Sequence, residues 1–452
     1  MRVSLAEPLF DLASAIPEAR MPVSTTGDKP LKVIDLFAGA GGLSEGFRQQ
    51  GFEIVAGSDI DPDACATYKR NFPNAITIHG DIREPEIRAR VIAAGKGADV
   101  VVGGPPCQAF SQVRNATRLI DDPRNSLYRE FVSMVDELRP AVFLMENVPG
   151  LAQMGVKEQA EEDLSLGGVY RVLPQVLDAA DFGVPQTRKR LLFLGIRSDL
   201  GVEPAAITGT GATSQLSLAR RKKGKYFVDA SDGVGEKLLA QLLDPEDLGV
   251  TTAAQAISDL RFLQTGRREE DIVVESLRTP ESAYQRLMRQ SLPDVVQNVS
   301  VPRINEDTVL RLKAIPGGGN HRDLPERLLA RYLTGQKWGP STDSGRLGRA
   351  HFYAYRRLHP SIWAWTLNTK ADSVYHYAFP RALSVREFSR LQSFPDHFTF
   401  TTDSRRGTIA GRIDGGQAHS RYRQVGNAVP PLLAAAVAQE VKKLVGKAER
   451  RK

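Results

Sequence analysis

Between residues 32 and 200 the chain alternates short apolar runs with stretches of helical period. The apolar runs predict β-strands at 33–37, 53–57, 75–79, 98–102, 142–145 and 191–196. Helices are predicted between them, at 43–50, at 170–180 and in a stretch that carries Tyr128, Phe131, Val132, Val135 and Leu138 on one face. This alternation of strands and helices predicts an open α/β sheet.

The first predicted strand runs into a glycine-rich turn, Ala38-Gly39-Ala40-Gly41-Gly42. Strand, glycine turn and helix form the first unit of a nucleotide-type fold, in which small residues let backbone N–H groups approach a ligand. Ser44 stands where a dinucleotide fingerprint has its third glycine, and Asp35 places a negative charge just before the turn. Both features argue against NAD and favour a cofactor that carries positive charge. A tight turn without a ligand is the alternative.

Acidic residues and a cysteine follow the next strands. Asp59 ends the second strand, about 20 residues past the glycines, where an acidic side chain can accept hydrogen bonds from ribose hydroxyls. Asp81 follows the third strand and Cys107 follows the fourth. Ligands bind at the carboxyl ends of the strands in open α/β sheets. The repetition at successive strand ends therefore predicts a binding site.

Cys107 is carried on the turn Gly103-Gly-Pro-Pro-Cys-Gln108. Proline lacks the N–H group and fixes φ, so the apolar strand must end in a sharp turn here. A free cysteine is more often a buried structural residue, but this one stands beside polar Gln108 and Ser111 rather than in an apolar stripe. We therefore interpret Cys107 as a nucleophile.

Two further strands carry charged residues. Glu146 ends the strand that follows Cys107, and its position favours a shared site over a simple solvent contact. Arg188 and Arg190 open the strand at 191–196, and alternation places them on one face, where they could steady a carboxylate or a phosphate. A solvated basic edge is the other interpretation of this short charge run.

The composition changes near Gly201, where Gly, Ser and Thr become frequent. Residues 201–380 lack the alternation of strands and helices seen before them. Within this region Arg331–Lys370 holds seven Lys/Arg against the single acid Asp343, together with all three tryptophans. Basic residues among aromatic ones suit phosphate contact and base stacking. The aromatic residues could equally form a small core.

The last part of the chain returns to regular patterns. Ser384 and Glu387 form a capping box that opens a helix through Leu391 and Phe394, and Pro395 closes it. The stretch 424–430 is predicted to be a turn, followed by a terminal helix at 431–444. Residues 1–29 show no sustained period and are predicted to be a poorly ordered extension.

Composition narrows the classes of protein. The 452 residues are 41% hydrophobic and 25% charged, which is typical of a soluble globular protein of more than one domain. Two cysteines exclude a disulfide framework and indicate a reducing compartment. Neither a signal peptide nor a membrane span is expected, and the seven histidines show no metal-ligand spacing. The net charge of +7 is compatible with a polyanionic partner.

Seven stretches occur together and in a fixed order. They are Asp35-Leu-Phe-Ala-Gly-Ala-Gly-Gly42, Gly80-Asp81, Gly104-Pro-Pro-Cys-Gln-Ala-Phe-Ser111, Glu146-Asn-Val148, Gln186-Thr-Arg-Lys-Arg190, Arg386-Glu-Phe-Ser-Arg-Leu-Gln-Ser-Phe-Pro-Asp396 and Gln424-Val-Gly-Asn-Ala-Val-Pro430. With these motifs the chain resembles the cytosine-C5 DNA methyltransferase family, of the bacterial restriction-modification type. The resemblance covers residues 32–200 and 381–446.

The resemblance implies a Rossmann-like catalytic domain at 30–200 and 381–452 and a smaller, variable target-recognition region at 201–380. The implied cofactor is S-adenosylmethionine, and its implied binding residues are Phe37, Gly39, Gly41, Asp59, Asp81, Pro106 and Asn427. The implied catalytic residues are Cys107, Glu146, Arg188 and Arg190, and the expected DNA-binding residues are Gln108, Ser111, Arg346 and Arg349. Cys107 would attack C6 of a cytosine flipped out of the duplex, because C5 alone is a poor nucleophile.

The resemblance also implies double-stranded DNA as partner, a cytoplasmic, nucleoid-associated location and a monomer, and it adds a cognate restriction endonuclease as a candidate partner. Two alternatives stay open. One is a tRNA cytosine methyltransferase on the same fold, although that branch usually has Thr where Ser111 stands and lacks so long a variable region. The other is a DNA-binding protein without catalysis, which the joint presence of Cys107, Glu146 and both arginines makes improbable.

Overall fold

The computed structural model describes residues 29–106, 126–154, 156–214, 250–329, 355–403 and 416–450. Its strands are β1 (Lys32–Leu36), β2 (Glu53–Asp59), β3 (Ile76–His79), β4 (Val100–Gly103), β5 (Val142–Asn147), β6 (Tyr170–Asp178), β7 (Lys189–Arg197), β8 (Asp271–Val273) and β9 (Val295–Gln297). Its helices are α1 (Gly42–Gln49), α2 (Pro62–Asn71), α3 (Pro85–Gly95), α4 (Ser126–Leu138), α5 (Val156–Ser165), α6 (Ala253–Ile257), α7 (Ala283–Met288), α8 (Glu306–Ala314), α9 (Val385–Leu391), α10 (Gly416–Asn427) and α11 (Pro431–Glu449).

Seven strands form one sheet in the order β3-β2-β1-β4-β5-β7-β6. The first five are parallel, while β7 runs antiparallel to β5 and β6 antiparallel to β7. The parallel strands are joined by helices, and the carboxyl ends of all five lie at one edge of the sheet. The predicted α/β fold is confirmed, and the predicted strand ends meet where ligands bind in such sheets.

Successive residues of the central strands face opposite sides of the sheet and enter two separate cores. Val33 and Val100 pack on one side with Phe47 of α1 and Leu433 of α11. Ile34, Val101 and Phe143 pack on the other side with Val91 of α3 and Phe131 of α4. Both faces of the sheet are thus covered by helices, which is why its strands are apolar throughout.

The predicted helix at 170–180 is wrong. Residues Tyr170–Asp178 form strand β6, which pairs with β7 along its whole length, and a 3₁₀ turn follows at Ala179–Phe182. Pro174 explains the difference, because proline inside a helix removes a hydrogen bond and clashes with the preceding turn. β6 is the last strand of the sheet, and an edge strand tolerates proline.

The described part of 201–380 is built from short elements. Strands β8 and β9 form a two-stranded antiparallel sheet over a small core of Leu260, Leu263, Val296, Val299 and Val301. Helices α6 and α7 pack elsewhere: Ala256, Tyr284 and Met288 belong to the same apolar core as Phe388 and Leu391 of α9. This region therefore shares a core with the sheet, and its division into a separate domain stays a prediction.

The capping box that opens α9 is confirmed, since Ser384 and Glu387 exchange side-chain and backbone hydrogen bonds. The turn predicted at 424–430 is wrong in its first half, because Gln424–Asn427 is the last turn of α10. Gly426 serves close packing instead of a turn: a Cβ atom there would lie 2.2 Å from the Asn368 carbonyl oxygen. Among the described residues, no helix has the length and apolar character needed to cross a membrane.

Candidate active site at the carboxyl ends of the parallel strands

A cavity of about 480 Å³ opens at the carboxyl edge of the sheet. Its walls come from the turns after β1 to β5, from the residues before and at the start of β7, and from the end of α10. Nine residues expected from the sequence line it: Phe37, Gly39, Asp59, Asp81, Pro106, Glu146, Arg188, Arg190 and Asn427. Residues more than 300 positions apart are thus brought to one site.

The glycine-rich turn shapes one wall of the cavity. Phe37 has a φ of 57°, a left-handed conformation that is uncommon for a residue with a side chain. The turn is held by hydrogen bonds from the Ala38 N–H to the Ser58 carbonyl and from the Gly39 N–H to the Asp59 carboxylate. Gly41, also expected to bind the cofactor, does not line the cavity. Its φ is 99°, and a Cβ atom there would lie 2.5 Å from the ring of Phe72.

Asp59 lies at the end of β2 and faces the cavity. Its carboxylate accepts hydrogen bonds from the backbone N–H groups of Gly39 and Asp61, each at 2.8 Å. Burial raises the pKa of this carboxyl group above its usual value. A carboxylate offers about four acceptor positions, so Asp59 retains acceptor capacity toward a ligand.

Asp35 does not face the cavity, contrary to the expectation that it contributes a charge beside the ligand. It is fully buried beneath the glycine turn, and its Oδ2 atom accepts hydrogen bonds from the backbone N–H and the hydroxyl of Ser44. The Ser44 hydroxyl also contacts the hydroxyl of Tyr68 at 2.8 Å. Burial raises the pKa of Asp35 to about 7.

Asp81 presents its carboxylate at the end of β3. Arg83 covers it with a forked contact in which Nε lies 3.0 Å from Oδ1 and 3.1 Å from Oδ2. The hydrogen bonds from Arg83 lower the pKa of Asp81. Asp81 is therefore an ionised acceptor whose orientation is fixed by its neighbour.

Glu146, near the end of β5, forms an ion pair with Arg190 of β7 inside the cavity. Their side chains are only 14% and 11% exposed. Gly104 packs directly against this carboxylate, since a Cβ atom at Gly104 would lie 2.8 Å from Oε2 of Glu146. The neighbouring Asn147 donates a hydrogen bond to the Pro105 carbonyl and so ties β5 to the Pro-Pro turn.

Arg188 has a different environment from Arg190. It is 2% exposed, and its guanidinium donates to the carbonyl oxygens of Leu367 at 3.1 Å and Gly426 at 2.6 Å. Burial, together with the nearby Arg190, holds its pKa well below the usual range. These contacts connect the strand start with two distant segments.

Five expected site residues lie outside the described part of the chain: Cys107, Gln108, Ser111, Arg346 and Arg349. Pro106, which directly precedes Cys107, lines the cavity. Among the described residues, no group of three or more His, Cys, Asp or Glu side chains could hold a metal ion.

Several lining residues were not anticipated from the sequence. Ile60 is 61% exposed although it is large and apolar, and it follows Asp59 at the cavity. Arg83, Asp61 and Arg423 also line the cavity. Arg423 stands four residues before Asn427 on α10, so the helical period could have placed both on one face.

The cavity is not predominantly acidic. The described residues that line it include four carboxyl groups (Asp59, Asp61, Asp81 and Glu146) and four guanidinium groups (Arg83, Arg188, Arg190 and Arg423). Three acid–base pairs are in direct contact: Asp61 with Arg423, Asp81 with Arg83, and Glu146 with Arg190. The acidic pocket inferred from the sequence is thus balanced by arginines that come from other positions in the chain.

Comparison with known proteins supplies an independent line of evidence. A family model described as C-5 cytosine-specific DNA methylase matches residues 31–443. The chain is 33% identical over 437 residues to the type II methyltransferase M.XorII of Xanthomonas oryzae pv. oryzae, covering 92% of this chain and 85% of the relative. It is 32% identical over 460 residues to the type II methyltransferase M.AgeI of Thalassovita gelatinovora, covering 91% and 99%.

A solved structure has the same fold. It is described as a DNA modification methyltransferase encoded within an E. coli prophage, and it superimposes with a TM-score of 0.63 over 92% of this chain and 99% of its own. The two sequences are 23% identical, so this likeness concerns the fold alone.

Proposed function

The chain belongs to the C-5 cytosine-specific DNA methylase family and is a DNA (cytosine-5-)-methyltransferase, and we propose that its cavity takes both S-adenosylmethionine and a cytosine flipped out of the DNA duplex. The observation that carries this proposal is the meeting of two residue sets in one cavity. Asp59 and Asp81 lie in one part of it, and Glu146 lies with Arg190 in another. Pro106, the neighbour of Cys107, lines the same cavity.

The residues at β1, β2 and β3 fit the cofactor. Asp59 has acceptor capacity left for ribose hydroxyls, and ionised Asp81 would accept from the amino group of the adenine. Phe37 and exposed Ile60 supply apolar surface for the base, and Asn427 lines the same cavity. When bound, S-adenosylmethionine supplies an electrophilic methyl group from its sulfonium.

Cys107 would act as the nucleophile toward the cytosine. A free cysteine has a pKa of about 8.5, and cationic neighbours lower it. Its thiolate would add to C6, and the electron pair of the C5–C6 double bond would then make C5 nucleophilic toward the methyl group. Loss of the C5 proton would restore the double bond and expel the Cys107 thiolate. Unpairing and flipping the base costs a few kcal/mol.

Glu146 would hydrogen-bond N3 and the amino group of the cytosine and offset the charge that develops on the ring. Its ion pair with Arg190 orients the carboxylate for this role. Arg188 would position the start of β7, because its guanidinium donates hydrogen bonds to two backbone carbonyl groups. Gln108, Ser111 and the basic segment Arg331–Lys370 would contact DNA.

A mechanism-based trap tests this proposal. DNA with 5-fluorocytosine at the target keeps a fluorine where a proton must leave, so the Cys107–C6 adduct should accumulate with S-adenosylmethionine and survive denaturing electrophoresis. Cys107→Ser should abolish the adduct, because a hydroxyl is far less ionised than a thiol at neutral pH. An adduct on RNA but not on DNA would favour a tRNA enzyme, and no adduct on either would point to a binding protein without catalysis.

The DNA sequence that the enzyme methylates can be determined in host cells. Bisulfite sequencing of DNA from cells with and without this gene should show a methylated sequence that depends on it. A cognate restriction endonuclease, if encoded nearby, should cleave the same sequence only when it is unmethylated.

A further inference from the structure

One ion pair in the cavity joins two parts of the chain that are far apart in sequence. Nη2 of Arg423 on α10 donates to Oδ2 of Asp61 at 2.7 Å. Asp61 is the N-cap of α2, where its Oδ1 atom accepts from the Asp63 N–H at 2.9 Å. The backbone N–H of Asp61 in turn donates to Asp59. The pair therefore lies directly beside the carboxylate assigned to the cofactor ribose.

Contacts other than the Arg423–Asp61 pair also hold α10 against α2. The hydroxyl of Ser420 donates to Asp63 at 2.6 Å, and that of Thr67 donates to Gln424 at 2.6 Å. The side chains of Arg423 and Asp61 remain 37% and 28% exposed. Two other buried contacts thus connect the helices, and the ion pair stands at the cavity end of their contact.

The charge of Arg423 matters because the cavity is evenly balanced. Without it, the described lining would hold four carboxyl groups against three guanidinium groups. The cofactor and its product differ by one formal charge, because the sulfonium of S-adenosylmethionine becomes the neutral thioether of S-adenosylhomocysteine. A carboxylate left without its cation attracts the first ligand more strongly than the second.

We propose that the Arg423–Asp61 pair sets the discrimination between the sulfonium cofactor and its thioether product. By cancelling the charge of Asp61, Arg423 keeps the preference for the cofactor lower than the acidic residues alone would make it. This inference rests on the proposed function, since it requires that this cavity bind the cofactor. It concerns the ratio of two affinities, which loss of structure alone would not change in a defined direction.

The test measures the dissociation constants of S-adenosylmethionine and S-adenosylhomocysteine by calorimetry on the full chain without DNA. Arg423→Gln should raise the preference for the cofactor about three- to tenfold, and Asp61→Asn should lower it by a similar factor. Asn is also a good N-cap residue, so α2 keeps its cap in the second variant. The double variant should return to the wild-type ratio, and all differences should shrink at 0.5 M salt because the pair is partly exposed.

Arg421→Gln is the matched control. Arg421 lies on the same helix and pairs with Glu270 at 2.9 Å, but it does not line the cavity. This variant and Arg423→Lys, which keeps the charge, should keep the wild-type ratio. If Arg423→Gln does not fold, Asp61→Asn decides alone.

The outcomes separate the two proposals. If both ligands bind and the ratio is the same in every variant, or if both affinities fall equally, the role of Arg423 is refuted while the cofactor site stands. If the wild-type protein binds neither ligand, the proposed function fails first.

Discussion

Arg190 and Glu146 form an ion pair between neighbouring antiparallel strands, with each side chain almost completely buried in the cavity wall. The pairing register places Glu146 opposite Leu192, so the start of β7 passes directly beside the carboxylate. A buried carboxylate is costly unless a cation compensates it. The cation of Arg190 therefore compensates the burial of the Glu146 carboxylate at the position where the target base is expected.

Replacing the carboxylate should slow catalysis without removing the cofactor. Glu146→Gln keeps the size of the side chain but loses its charge, so the rate of a single turnover should fall by a factor on the order of 10² to 10⁴. Cofactor affinity should change little, because Asp59 and Asp81 are intact. Rapid-quench measurement of methyl transfer to DNA checks this, and a variant with wild-type turnover would remove Glu146 from the chemistry.

Asp59→Ala should weaken the binding of S-adenosylmethionine by about 1–3 kcal/mol. The substitution removes an acceptor for the ribose and leaves two backbone N–H groups without their partner. Asp59→Asn retains one acceptor oxygen and should lose less. Calorimetry with the two variants gives both values. Unchanged affinity in the alanine variant would exclude Asp59 from the site.

Local sequence signals were sufficient for most of the sheet. Val142–Met145 is an uninterrupted apolar run that is buried on both faces, and Asp35 is the single polar residue in Val33–Leu36, so the strand state of both segments follows from composition. The strand ends then placed Asp59, Asp81 and Glu146 at one edge. The helix predicted at strand β6 is wrong because its apolar residues fit a helical spacing although Pro174 excludes a helix.

Long-range contacts could not be read from the sequence. Arg188 and Arg190 stand two residues apart, yet one bonds to carbonyls of residues 367 and 426 and the other to Glu146. Alternation places both on one face but does not tell which atoms they meet. Arg423 balances Asp61 through a contact that only the folded chain creates, whereas Arg83 and its partner Asp81 stand only two residues apart.

Recognition of the target DNA sequence should depend on Arg331–Lys370, a segment that lies largely outside the described residues. Arg346→Ala or Arg349→Ala should reduce discrimination between sites if the side chain reaches a base edge, by about 1–3 kcal/mol. If it reaches a phosphate, binding should fall uniformly and its salt dependence should flatten. Competition binding with cognate and altered duplexes at several salt concentrations separates these results. Site-specific methylation by a chain lacking the segment would contradict the assignment.

Any side chain at Gly46 should destabilise the contact between α1 and α11. A Cβ atom there would lie 2.4 Å from the Cβ of Ala434 and 2.6 Å from the Ala435 nitrogen. The backbone nitrogen of Ala435 cannot move away as the end of a flexible side chain can. Gly46→Ala should therefore lower the free energy of unfolding by about 1–3 kcal/mol, despite the better helix propensity of alanine. At Gly150 no described atom lies within 4 Å of the added Cβ, so Gly150→Ala should stay within about 0.5 kcal/mol. Urea unfolding of both variants tests the contrast, and equal stabilities would contradict it.

The buried carboxyl group of Asp35 should make stability depend on pH near neutrality. Its pKa is raised from 3.8 to about 7, chiefly by burial, while the bonds from Ser44 oppose the rise and the charge of Asp59 adds to it. Oδ1 has no hydrogen-bond partner among the described residues. The folded chain therefore holds a proton at Asp35 that the unfolded chain releases near pH 4.

Because the native state binds more protons in this window, the contribution of Asp35 to the free energy of unfolding is fully present below about pH 4 and declines as pH rises to about 7. The decline is at most about 1.4 kcal/mol per pH unit. Asp35→Asn cannot titrate, so its stability should rise relative to the wild type between pH 5 and pH 7 and then keep a constant offset. Urea unfolding at half-unit pH steps measures this difference, in which the other titrating groups cancel. Parallel curves for the two proteins would show that Asp35 is already ionised in the folded state and that Ser44 and its neighbours stabilise the charged carboxylate.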